Sequence, residues 1–118
     1  MKGSGPVVDQ QIFEPSSLSQ LHQWFEQNNS DLASVWVVIY KKSSGKQVVN
    51  LGNIVEEAIC HGWIDSKVKT IDPQRYAVYL TPRKAGSHWT EGNKRIAEKM
   101  IVDGRMTIRG MDVFAASR

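Results

Sequence analysis

Apolar residues recur at Leu18, Leu21, Trp24 and Phe25 and then stop at Asn28-Asn29. That spacing places them on one side of a 3.6-residue period and predicts an amphipathic helix, with Ser17 and Gln20 placed as a capping box at its start. The pattern then changes. Ser34 to Lys41 holds Val35, Trp36, Val37, Val38, Ile39 and Tyr40 in one run, too short for a buried helix, rich in β-branched and aromatic residues, and closed by Ser43-Ser44-Gly45; a central strand is expected. Leu51, Ile54, Val55, Ala58 and Ile59 return to helical spacing behind Asn50, an N-capping residue type, and Gly62 stands where a left-handed C-cap is needed.

Trp63 to Ile71 and Tyr76 to Thr81 alternate, and Asp72-Pro73-Gln74-Arg75 between them puts proline at the second turn position, which predicts a β-hairpin. A polar loop follows. Thr90 can cap a third helix with Ile96, Ala97, Met100 and Ile101 inward, closed by Gly104, and Thr107 can begin a last helix carrying Ile108, Met111 and Phe114. The order is α-β-α-β-β-α-α. None of these elements hides its apolar side alone, so the expected fold is two-layer α+β: a small, mainly antiparallel three-stranded sheet with helices on one face. Residues 1–11 show no period that could be buried and read as a flexible tail, with a single domain over 12–118.

Composition narrows the function classes. At 118 residues and 41% hydrophobic, the chain is sized for one core and too apolar for disorder throughout. One cysteine, Cys60, excludes an intrachain disulfide and suits a reducing compartment. Gly3-Ser4-Gly5-Pro6 occupies the place where a secretory signal would be apolar, and no run approaches the roughly 20 apolar residues of a membrane span. A cytoplasmic domain without membrane insertion is expected.

Net charge is only +3, but it is uneven: residues 1–62 carry four Lys/Arg against six Asp/Glu, and residues 63–100 carry eight against four. The second half therefore suggests an anionic partner, a small molecule or an acidic protein surface, although a merely solvated charged face is the commoner reason for such a balance. Lys67, Lys69, Arg75, Arg83, Lys84, Lys94, Arg95 and Lys99, with Tyr76, Tyr79 and Trp89 among them, could contact nucleic acid. Net +3 is low for a dedicated nucleic-acid binder, and alternating lysines also protect sheet edges, so that reading ranks behind.

The basic loop concentrates the candidate chemistry. Arg83, Lys84 and Ser87 stand just before a helix start, where free backbone N–H groups attract an anion; Trp89 can wall such a site and Asn93 lies one turn into the helix. Asp65 can pair with Arg83 or Arg105, more as structural neutralisation than as ligand orientation. Trp63, Asp65 and Arg105 complete the expected concave surface.

For catalysis the ingredients are few. Cys60 and His61 are adjacent on a helix end and point about 100° apart, so adjacency does not make them a nucleophile–base pair. Nothing supports pairing of either with His88. His22, His61 and His88 fall on separate segments without CxxC or HxxxH spacing, so no metal and no other cofactor is expected. An enzyme acting on a phosphorylated small molecule, with Asp65 or His88 as base, is the alternative to a non-enzymatic binding domain. The oligomeric state is left open.

Three stretches, Gly62-Trp63-Ile64-Asp65, then Thr81-Pro82-Arg83-Lys84 to Ser87-His88-Trp89-Thr90 with Asn93, then Gly104-Arg105-Met106-Thr107 with Gly110, follow a helix bearing Glu56-Glu57-Ala58. In this order and at these separations the chain resembles the YdeI/OmpD-associated proteins over about residues 13–116. The resemblance implies a bacterial cytosolic domain linked to bacteriocin protection and stress tolerance, without a settled ligand or reaction. Longer proteins of that kind continue into a further helical region beyond the point matching Arg118, so an activity needing that region is not carried over.

Overall fold

The structure is a computed structural model and describes residues 11–28, 34–84 and 86–116. Along the chain run β1 (Gln11–Phe13), α1 (Leu18–Asn28), β2 (Val35–Tyr40), a short 3-10 turn (Lys42–Ser44), α2 (Leu51–Cys60), β3 (Trp63–Thr70), β4 (Arg75–Pro82), α3 (Glu91–Val102) and α4 (Ile108–Ala115). The fold is α+β, as the periodicities require. The sheet differs from expectation: it has four strands in the order β1-β2-β4-β3 and is mixed, with β1 parallel to β2 and both other pairings antiparallel. Three residues are too few to show alternation, so β1 is set by its partner instead, through the register Gln11 to Val35 and Phe13 to Val37. A parallel pair needs a crossover, and α1 supplies it. Gln11 thus belongs to a strand rather than to the tail; the rest of that segment, residues 1–10, lies outside the described residues.

Local capping follows the sequence closely. Ser17 Oγ accepts from the Gln20 amide at 3.0 Å, while the Gln20 side chain reaches back one residue further than a capping box requires, accepting from Ser16 N at 2.6 Å. Asn50 and Asn53 form a reciprocal box at the head of α2, with bonds of 2.8 and 3.0 Å. Gly62 leaves that helix at φ +80°, and Asp72 Oδ1 holds the hairpin turn by accepting from the Gln74 and Arg75 amides.

The main core lies between the sheet and the first two helices. Leu21 and Phe25 of α1, Ile54 and Ala58 of α2, and Val35, Val37, Ile39, Trp63, Val78 and Leu80 of the strands are buried together. Helices α3 and α4 make their contacts with α2, closing a smaller cluster of Ile59, Trp89, Ala97 and Phe114. This departs from four helices laid on one sheet face. It also rotates three expected core positions outward: Ile101 is 37%, Ile108 83% and Met111 42% exposed. The reason for α4 is its first turn. Thr107 donates both its hydroxyl (2.6 Å) and its amide (3.0 Å) to the Cys60 carbonyl, so Gly110 and Phe114 face α2 and Ile108 cannot.

A register irregularity in β3 between Asp65 and Lys67 has a directional effect. Asp65 lies opposite Leu80, a core residue, whereas Lys67 lies opposite Tyr79 on the other face. In a strand of unbroken alternation Asp65, Lys67 and Lys69 would all share a face; the bulge at Ser66 separates Asp65 from the two lysines. That other face carries Trp36, Val38, Ala77 and Tyr79, with the Lys69 ammonium 4.6 Å from the Trp36 ring and that of Lys67 4.7 Å from the Tyr79 ring. These lysines already cover aromatic rings, which weakens the nucleic-acid reading of the same residues.

Candidate functional site

The residues expected to line one concave surface divide into three groups. Arg83, Ser87 and Trp89 come together at the head of α3. The Arg83 guanidinium lies 3.7 Å from the centre of the Trp89 ring, and its Nη1 donates to Ser87 Oγ at 3.3 Å and to the His88 carbonyl at 3.2 Å. The backbone positions this group: the Arg83 amide bonds the Gly62 carbonyl at 2.8 Å, joining the end of β4 to the exit of α2. Thr90 Oγ1 caps α3 by accepting from the Asn93 amide, which is the part Asn93 visibly plays. Lys84 is exposed beside them.

Arg83 is only 4% exposed, and among the described residues its Nε and Nη2 have no hydrogen-bond partner. The Trp89 indole N–H is likewise buried and unanswered. Burial pushes the Arg83 guanidinium below its ordinary range, and Asp65, half-buried nearby, pulls the other way. No ion pair within 4.0 Å joins the two among the described residues, so Asp65 acts as a neighbouring charge rather than a bonded partner.

Trp63 does not belong to this surface. It is fully buried in the main core, edge-on to Phe25 at 5.8 Å and to Trp24 at 6.1 Å. Arg105 is drawn elsewhere as well: Nη1 bonds Glu56 at 3.3 Å and Nη2 bonds Glu57 at 3.0 Å, so two acids answer its charge. The expected convergence of Arg105 with the basic loop is replaced by an ion cluster on α2.

That cluster is what sequence reasoning missed. His22 Nδ1 lies 3.1 Å from Glu57 Oε1, His61 Nε2 lies 3.5 Å from the same oxygen, and Glu26 Oε2 is 3.8 Å from His61 Nε2. A signal for it existed: His22 and Glu26 are four apart on one helix, and Glu57 and His61 are four apart at the end of another, a spacing that stacks each pair on one face. A search for His-x3-His or paired cysteines passes over it. Burial alone would raise the Glu57 carboxyl, but hydrogen bonds from His61, His22 and Arg105, with the charge of His22, hold it at about 2.

Cys60 is buried, and burial pushes its thiol up to about 11, so it remains protonated and unreactive near neutral pH. Two concavities lie away from the basic loop: one of about 220 Å³ is lined by Glu14, Pro15, Val38, Tyr40, Lys46 and Val48 among others, and one of about 240 Å³ by Phe13, Trp24 and three glutamines. No helix among the described residues is long and apolar enough to cross a membrane.

Fold and site together define a small α+β domain whose polar centres stand at helix ends, Arg83 before α3 and His61 after α2. The chain belongs to the DUF8412 family, described as a domain of unknown function, whose family model matches residues 13–113. Neither the curated proteins nor the solved structures compared with it gave a match.

Proposed function

We propose that this is a non-enzymatic binding domain that holds a small anionic group, a phosphate or carboxylate, at Arg83. The observation that carries the reading is the buried guanidinium at the head of a helix, with two nitrogens, Nε and Nη2, unanswered among the described residues. A buried polar group without a partner costs about 1–3 kcal/mol, and more when charged, so such a donor pair is a place for an acceptor that the chain itself does not provide. The helix end adds backbone N–H groups and the positive end of a dipole. Trp89 covers the guanidinium from one side, and Gly86, at φ +80° with open space around it, belongs to the short loop that must admit the ligand.

The sequence likeness to the YdeI/OmpD-associated proteins agrees with a cytoplasmic binding or stress-protection role and is kept as part of this proposal. Within it, an acidic protein surface is the macromolecular form of the same partner chemistry. The alternative, an enzyme acting on a phosphorylated small molecule, would need exposed His88 or half-buried Asp65 as its base, and the binding reading is preferred because it needs only the Arg83 donors.

Titration of the full chain with inorganic phosphate, followed by NMR, tests this. Shifts concentrated at residues 86–93, the Trp89 indole N–H and the Arg83 Nε–H are expected, and Arg83→Lys should weaken binding about tenfold or more because it keeps the charge and loses the planar fork. Shifts confined to other parts of the molecule would remove the site.

A further inference from the structure

We propose that His22, Glu57 and His61 bind a divalent transition-metal ion of the zinc type, with Glu26 at the solvent side of the site. One donor atom from each of His22, Glu57 and His61, on two helices, lies within 4.8 Å of the other two, and Glu57 Oε1 has His22 Nδ1 on one side and His61 Nε2 on the other. In a tetrahedral zinc site with bonds of about 2.0–2.1 Å, neighbouring donors stand about 3.3 Å apart. The two measured separations from Glu57 Oε1, 3.1 and 3.5 Å, bracket that value. Two imidazoles and a carboxylate are a nitrogen–oxygen donor set that suits zinc and its neighbours better than calcium or magnesium.

The surroundings complete the site in the way metal centres require. Arg105 Nη2 binds Glu57 Oε2, so that carboxylate turns its other oxygen to the imidazoles, an outer contact that fixes a ligand's orientation. His61 is held by Phe25, whose ring stacks on it at 5.2 Å and 11°. Charge also fits: the Arg105 guanidinium pairs with Glu56 and Glu57, while Glu26 faces only the imidazoles of His22 and His61 among the described residues, so the carboxylates around the cluster outnumber its one permanent cation. Access is open on one side, because the His22 and Glu26 side chains are 53% exposed while His61 is fully buried and Glu57 nearly so. Glu26 Oε2, 3.8 Å from His61 Nε2 and 3.9 Å from His22 Nε2, borders the three-donor group on its exposed side. The alternative use of the same residues is a hydrogen-bonded tie between α1 and α2 that needs no ion, and the two uses give opposite results on metal addition.

The test is calorimetric titration of the chelator-treated full chain with Zn²⁺, together with Co²⁺ absorption in the visible range. One equivalent should bind, with the intense d–d bands of a four-coordinate nitrogen–oxygen site. His22→Ala, at a half-exposed position that leaves the fold intact by circular dichroism, should weaken binding by more than about tenfold, and His88→Ala should leave it unchanged. Because His61 is buried and its replacement endangers folding, Glu57→Gln with an unchanged far-ultraviolet spectrum serves as the second variant and should also weaken binding. Absence of stoichiometric binding, or binding indifferent to His22→Ala, or equal loss in His88→Ala, would overturn the site and leave the interhelical tie.

Discussion

Arg83 sits where burial opposes its charge, with one nitrogen bonded to Ser87 and His88 and the other two unanswered among the described residues. Replacing a buried ion by an apolar residue of similar length is often neutral or stabilising by roughly 1–4 kcal/mol, whereas stranding a charge is costly. Arg83→Met is therefore expected to leave the melting temperature unchanged or raise it while abolishing the phosphate response. A large drop in melting temperature would mean that the two bonds from Nη1 brace the loop and that ligand binding is secondary. Asp65→Asn has the opposite signature. It removes the charge that offsets Arg83, so stability should fall by about 1 kcal/mol, and phosphate affinity should rise, because a competing anion is gone. Denaturant unfolding and the NMR titration read the two effects separately.

Among the elements, α4 shows how one close approach fixes a helix. A Cβ added at Gly110 would come within 2.2 Å of the Cys60 carbonyl oxygen, a backbone atom that cannot move aside. Gly110→Ala is expected to cost about 1–3 kcal/mol or more despite alanine's better helix propensity, since overpacking against backbone outweighs a gain of about 1 kcal/mol. An unchanged or raised stability would show that α4 is free to shift. By contrast, Asn50→Ala breaks one half of the α2 capping box and should lower stability by about 1 kcal/mol without moving any element. Both caps and periods are local, which is why α1, α2, the hairpin and the start of α3 were legible from residues such as Ser17, Asn50, Gly62 and Thr90. The face that a helix buries is not local. Ile108, Met111 and Phe114 lie on one broad apolar side, yet the Thr107 bond to Cys60 turns Gly110 and Phe114 inward and leaves Ile108, about 120° away from Phe114 around the helix, in water.

Across the whole molecule, Glu57 ties α2 to α1 through His22 and to the segment before α4 through Arg105. Its carboxyl is held at about 2 against an ordinary value of 4.5. A depressed folded-state value contributes stability that is fully present above the unfolded value and lost as pH falls from about 4.5 towards about 2. For the metal-free protein this contribution is on the order of 3 kcal/mol. Stability measured by urea unfolding should decline over that window, and Glu57→Gln should flatten the decline; a variant with the same acid limb as the parent would show that other carboxyls govern it.

What the sequence determined by itself is the four helices, the central strand, the hairpin and the α+β class, because apolar period, cap and turn chemistry act over a few residues. The basic loop before α3 was legible for the same reason: Arg83, Ser87 and Trp89 lie within seven positions of one another. Tertiary structure alone decided the rest. Strand β1 exists because β2 offers it a parallel edge. Trp63 went to the core and Arg105 to Glu56 and Glu57, and His22 met Glu57 across 35 positions of chain. Contacts of that separation depend on how helices dock, and docking is set by the summed burial of many side chains, a quantity no short stretch of residues carries.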